Sequence, residues 1–257
     1  MNNFWTDIDK NIRSHSLQLT DWKKLFSSNL SSIYTTTSYN INLQYLYRAR
    51  LNFNGDKPID FFNHVNELWA PPGKKVNRDG RCNVKGQSTL YCATSPTTTL
   101  FEVRPNVGDE ITFMDYDMNE KIENIGIVGC KEIVRLGNDY RSIFGQHFIE
   151  SSKYSEDIDN ILSAIFKSEH SEKYPIYNLT NAIYQIFTDE QKHHLVPKTM
   201  RIPKFNGLIY PSIVTNKLLG VNIAMDPNAA QKILNPFRAY KYKVLQKHGE
   251  HRYETIK

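Results

Sequence analysis

Residues 43–53 alternate between two sets of side chains with the period of a β-strand. Leu43, Tyr45, Tyr47, Ala49, Leu51 and Phe53 share one face, which the pattern predicts to be the core face. Gln44, Leu46, Arg48, Arg50 and Asn52 share the other, so a rigid element presents two arginines side by side. On the strand's own terms that pair suits a solvated edge. A helix is predicted over 58–68, with Pro58 in its first turn and Phe61, Phe62, Val65 and Leu68 as its apolar stripe. A Pro/Gly-framed loop then carries Lys74, Lys75, Arg78 and Arg81. Such a run is either solvated or a meeting place for phosphate.

Thr89–Ala93 reads as a short strand by β-propensity. Ser95-Pro96 starts a helix, with serine as cap and proline at the first helical position, and Pro105 stops it. Glu102 falls in the last turn, where a carboxylate opposes the helix dipole. That placement hints at a role other than stability. Further strands are expected at Ile111–Tyr116, Gly207–Ile213, Gly220–Met225 and Phe237–Leu245, and helices at 139–149, 155–167 and 178–188. Strands flank a helix-rich middle, so the predicted class is α+β. Residues 1–40 form a polar helical appendage in which Trp22, Leu25, Phe26 and Leu30 recur near helical spacing, before a domain spanning 41–257.

Composition narrows the choices. The 257-residue chain is 40% hydrophobic and 12% aromatic, which suits a folded domain with a sizeable core. No apolar run approaches the roughly 20 residues that span a bilayer, and the start carries no secretory pattern, so a cytoplasmic protein without membrane contact is expected. Cys82, Cys92 and Cys130 lack metal or redox spacing and read as reduced, buried thiols. His193 and His194 are adjacent, which suits a solvated loop, and no metal site is expected. The net charge of +5 permits an anionic ligand without demanding one. Nucleic acid is disfavoured, because no basic stripe is interleaved with aromatics. A non-enzymatic binding module working through the Lys74–Arg81 loop is the competing class of function.

Six blocks in order resemble the RES domain: Tyr47-Arg48-Ala49-Arg50, Gly80-Arg81-Cys82-Asn83 with Gly86, Leu90-Tyr91-Cys92-Ala93, Thr98–Val103, Gly207–Ser212 and Asn222–Pro227. The resemblance spans about residues 45–227. It implies an ADP-ribosyltransferase-like split β-sheet core, to which this chain is expected to add helical insertions, a C-terminal extension and the helical N-terminal appendage of residues 1–40, which lies outside the usual small toxin. It implies a toxin that cleaves the nicotinamide–ribose bond of NAD⁺ by hydrolysis or phosphorolysis, or transfers ADP-ribose to a cellular protein. NAD⁺ is then the substrate, no cofactor is needed, and a cognate antitoxin is the implied protein partner. A homo-oligomer stays open. By motif match Arg48, Arg81, Tyr91, Glu102, Ser212 and Asn222 carry over as site residues, with Arg50 the alternative to Arg48.

The chemistry such a toxin performs suits these residues. Cleaving the glycosidic bond builds oxocarbenium character, which Glu102 would stabilise while holding a ribose hydroxyl. Arg48 and Arg81 would clamp the diphosphate. Tyr91 would offer nicotinamide a ring and a hydroxyl, and Ser212 a hydrogen bond to nicotinamide or ribose. The chain departs from the family pattern at Val84-Lys85-Gly86, where a Pro-Pro-Gly run is common, and at Ile213–Asn216, which lacks a frequent arginine. The stretch between Pro105 and Arg201 is a long insertion.

Overall fold

The computed structural model of the chain describes residues 8, 10–12, 14, 17–27, 39–41, 43–54, 57–129, 133, 153–172, 175–188, 205–212, 220–247 and 253–256. In order the elements are α1 (Leu19–Ser27), β1 (Tyr39–Ile41), β2 (Tyr45–Leu51), β3 (Phe53–Asn54), β4 (Lys57–Pro58), α2 (Val65–Leu68), β5 (Leu90–Ala93), α3 (Pro96–Val103), β6 (Glu110–Met118), β7 (Ile122–Ile127), α4 (Lys153–Lys167), α5 (Tyr177–Thr188), β8 (Gly207–Pro211), β9 (Val221–Met225), α6 (Pro227–Ile233), β10 (Leu234–Lys247) and β11 (Tyr253–Ile256). The class is mixed α+β. The helix expected over 139–149, Leu30, Cys130, His193 and His194 lie outside the described residues.

One nine-stranded sheet runs in the order β1-β7-β8-β9-β5-β2-β6-β10-β11. Among the described residues, only the β7–β8 pair is parallel. Pairing is continuous within two groups. Strands β5, β9 and β8 are in register along their lengths, as are β2 and β6, and β10 follows β6 with one register shift. Between the groups, β2 meets β5 through the single residue pair Tyr47↔Ala93. The sheet is therefore close to two half-sheets joined at one point.

Alternation puts β8 and β9 under cover on both faces. Leu208, Tyr210 and Ala224 join the cluster formed with α4 and α5 through Phe166, Leu179, Ile183 and Phe187. Ile209, Ile223 and Met225 point the other way, into a cluster with Leu90, Met114 and Tyr116. Ile8, Ile12 and Trp22 from the N-terminal 40 residues are buried in the first cluster, and β1 crosses the division at residue 40.

Two sequence expectations need correction. The arginine-bearing face of β2 is the better covered one: Leu46 is fully buried and Asn52 is buried, while Tyr45, Tyr47, Ala49 and Leu51 are only half-buried. Phe62 and Leu68 share a core cluster with Leu46. Arginine tolerates that cover because its stem packs against apolar groups while its N–H donors find backbone carbonyls. The helix expected over 58–68 shrinks to α2. Pro58 lies in β4, and the Glu67 carboxylate accepts from the His64 N–H at 3.0 Å, which fixes the helix start late. Phe62 and Leu68 are buried as expected, but Phe61 and Val65 are exposed.

The local signals around α3 hold. Ser95 Oγ accepts from the Thr98 N–H at 3.2 Å, Pro96 opens the helix, and Arg104 closes it in a left-handed conformation at φ 50°. The C-terminal strand is longer than expected: β10 covers Leu234–Lys247 and turns back as β11, with its pairing to β6 shifting register between Pro236 and Arg238.

Candidate active site

A cavity of about 990 Å³ opens where the two half-sheets meet. Arg48 and Ala49 of β2, Tyr91, Cys92 and Ala93 of β5, Glu102 of α3 and Asn222 of β9 all line it. Its size lies within the range of small-molecule sites. Four guanidinium groups (Arg48, Arg78, Arg81 and Arg104) face three carboxylates (Asp79, Glu102 and Glu169) around it.

Glu102 sits on the exposed side of α3, yet its carboxylate is held. Ser212 Oγ donates to Glu102 Oε1 at 2.5 Å, and Asn222 Nδ2 donates to the same oxygen at 2.6 Å. Both donors are buried, at 2% and 7% exposure, so the anchor is rigid. No described residue bonds Oε2. One carboxylate oxygen is thus fixed by the protein and the other is free to meet a ligand. Ser212 does not line the cavity; it acts through Glu102.

The arginines are aimed by backbone carbonyls. Arg48 Nη1 donates to the Tyr91 carbonyl at 2.9 Å across the β2–β5 seam, and its buried Nε has no partner among the described residues. Arg81 Nη2 donates to the Ser168 carbonyl at 3.2 Å, and its buried Nη1 is likewise unpartnered. Unpaired buried donors are costly, and two guanidiniums lining one cavity suit a polyanionic ligand. Arg50 is not brought to this cavity. Its Nη1 bonds the Glu67 carbonyl and its guanidinium lies 4.7 Å over the Phe62 ring, so it braces α2 against β2. Burial, then the neighbouring Arg48, lowers its proton affinity below the usual arginine value.

Tyr91 lines the cavity, but its hydroxyl is already committed. It donates to Asn83 Oδ1 at 2.8 Å and accepts from the Cys82 N–H at 2.7 Å. Burial pushes its pKa well above that of a free phenol. The hydroxyl therefore fastens the Gly80–Asn83 turn, which presents Arg81, and is unavailable to nicotinamide in this arrangement. Asn181 Nδ2 holds the same turn through the Gly80 carbonyl at 2.9 Å. Cys82 and Cys92 are free and buried, and burial raises both thiols, so neither is a nucleophile at neutral pH.

Gly80 has to be glycine for reasons of space. A Cβ there would lie 2.4 Å from Asn83 Oδ1 and 3.2 Å from the Tyr91 hydroxyl. Gly80→Ala is expected to break the Tyr91–Asn83 bond and cost about 1–3 kcal/mol. Urea unfolding reads this as a lower midpoint; an unchanged midpoint would mean that the turn is not fastened this way.

Several lining residues carried no local signal in the sequence. Glu169 and His170 come from the segment joining α4 to α5, and Tyr177 from the first turn of α5, all within the long insertion. Arg104 is two residues beyond Glu102 and reaches the cavity because the left-handed cap turns the chain there. Of the basic loop, Arg78 and Arg81 line the cavity and Lys74 and Lys75 do not. Among the described residues, no cluster of three or more His, Cys, Asp or Glu side chains could hold a metal ion, and no helix is long and apolar enough to cross a membrane. No family model matches the chain, and no curated protein matches it.

Proposed function

We propose that this chain consumes NAD⁺ by cleaving its nicotinamide–ribose bond, as a toxin of the RES-domain type. The observation that carries the reading is the meeting of Arg48, Arg81 and Glu102 around one cavity of about 990 Å³. The half-sheets joined only at Tyr47↔Ala93, with the cavity at their junction, support an ADP-ribosyltransferase-like split core.

In this reading the diphosphate lies against the guanidinium groups of Arg48 and Arg81, which line the cavity. The nicotinamide ribose lies against Glu102 Oε2, which accepts a hydrogen bond from a ribose hydroxyl. As the C–N bond breaks, its electron pair goes to the ring nitrogen and neutralises the pyridinium. Positive charge develops on the ribose beside the fixed carboxylate. Ser212 and Asn222 hold Glu102 Oε1, so the charge is oriented before the reaction begins. Water then adds to the ribose and loses a proton, giving ADP-ribose; phosphate in its place gives the phosphorylated ribose.

The acceptor is what the experiment identifies. The purified chain, incubated with NAD⁺ with and without phosphate, is expected to release nicotinamide with free ADP-ribose or its 1-phosphate by mass spectrometry. ADP-ribose attached to a protein would assign a transferase instead. Intact NAD⁺ in every arm, with salt-steep retention of nucleic acid, would favour a non-enzymatic binding module. A cognate antitoxin that covers this cleft belongs to the same proposal, as does a cytoplasmic site of action.

A further inference from the structure

The insertion builds a feature that the bond-breaking chemistry does not use. His170 and Tyr177 are stacked, with ring centroids 3.9 Å apart and planes 5° from parallel. Both line the cavity, His170 exposed and Tyr177 half-buried. No other ring among the described residues stacks on His170, and no described group bonds its imidazole. The Arg81 guanidinium carbon lies 5.8 Å from the centre of the Tyr177 ring, which joins this stack to the cation assigned to the diphosphate.

We infer that the His170–Tyr177 stack is the base platform of the cavity and holds the adenine of a dinucleotide substrate. The inference rests on the NAD⁺ reading above. Glu102 marks the ribose whose bond breaks, Arg48 and Arg81 mark the diphosphate, and the stack adjoins Arg81. Among the described residues, no hydrogen bond or ring contact joins Glu102, Ser212 or Asn222 to the stack. A base resting there is on the adenosine side of the diphosphate. Charge points the same way. The nicotinamide ring of NAD⁺ is cationic and would be repelled beside Arg81, whereas adenine is neutral. His170 is also kept neutral, since burial and then Arg81 lower its pKa against the opposing pull of Asp79. A flat, neutral, exposed ring lining the cavity is a stacking surface that any purine can use.

Calorimetric titration with ADP-ribose and with ribose 5-phosphate, which lacks the base, tests this. His170→Ala is expected to weaken ADP-ribose binding about tenfold, while ribose 5-phosphate affinity stays within about twofold. His170→Phe keeps a flat ring and is expected to restore ADP-ribose affinity. His170 is exposed on a connecting segment, so both variants should fold, which circular dichroism checks. Equal weakening of both ligands, no weakening of ADP-ribose, or failure of the phenylalanine to rescue would overturn the platform while leaving the NAD⁺ reading standing. Failure of the unsubstituted chain to bind ADP-ribose would overturn both.

Discussion

The chain carrying Glu102→Gln is expected to keep its fold and to lose about 10³-fold in NAD⁺ turnover, or about 4 kcal/mol of transition-state stabilisation. The substitution suits this site unusually well. Ser212 and Asn222 both donate to Glu102 Oε1, and an amide oxygen in that position accepts the same two bonds. The amide nitrogen then stands where Oε2 was, with no negative charge and with donors in place of lone pairs. The side chain is exposed apart from these two contacts, so the unfolding midpoint should hardly move. A rate within a few-fold of the unsubstituted chain would remove Glu102 from the chemistry.

Asn222→Asp is expected to give the second large effect, with a signature that simple loss of a contact cannot imitate. The Asn222 amide donates to Glu102 Oε1 at 2.6 Å. A carboxyl group placed there cannot ionise freely beside Glu102, so the pair shares one proton through neutral pH. Glu102 then no longer carries a full charge toward the ribose, and turnover at pH 7 falls by about 10–100-fold. Like-charge repulsion raises the pH at which the shared proton leaves. Activity should therefore climb as pH rises above neutrality, when both groups ionise. Asn222→Ala supplies the control: it leaves Ser212 holding Glu102 and should lower activity by a factor that does not depend on pH. A flat pH profile for Asn222→Asp would mean that the two side chains are not coupled.

Local signals were legible where the chain decides its own conformation. Ser95-Pro96 capped α3 as read, and the alternating and apolar runs at 45–51, 90–93, 207–211 and 221–225 are strands. Hydropathy misjudged β2 because it treats an arginine as outward-facing. Arg48 and Arg50 lie on the covered side because the Tyr91 and Glu67 carbonyls satisfy them, and those partners are distant in sequence. The 58–68 stripe failed for a related reason: the pairing of β4 with β3 and the His64–Glu67 contact delay the helix, which periodicity does not register.

The site divides along the same line. Arg48, Arg81, Tyr91, Glu102 and Asn222 came to one cavity from blocks noted in the sequence, and Ser212 was found behind Glu102. Arg50 shared the strand face of Arg48 but was turned away by Phe62 and the Glu67 carbonyl. The sequence offers the Tyr91 hydroxyl to a ligand, but its bonds to Cys82 and Asn83 exist only in the folded turn and already engage it. His170 and Tyr177 gave no local sign, since only the packing of α4 and α5 on the sheet carries them to the cleft.

The most direct measurement is a crystal structure of the Glu102→Gln chain with NAD⁺ bound. Expected is a diphosphate about 2.7–2.9 Å from guanidinium nitrogens of Arg48 and Arg81, with the nicotinamide ribose against the side chain at position 102. Dinucleotide bound elsewhere on the molecule, or bound in this cleft with its nicotinamide ribose remote from that side chain, would contradict the reading.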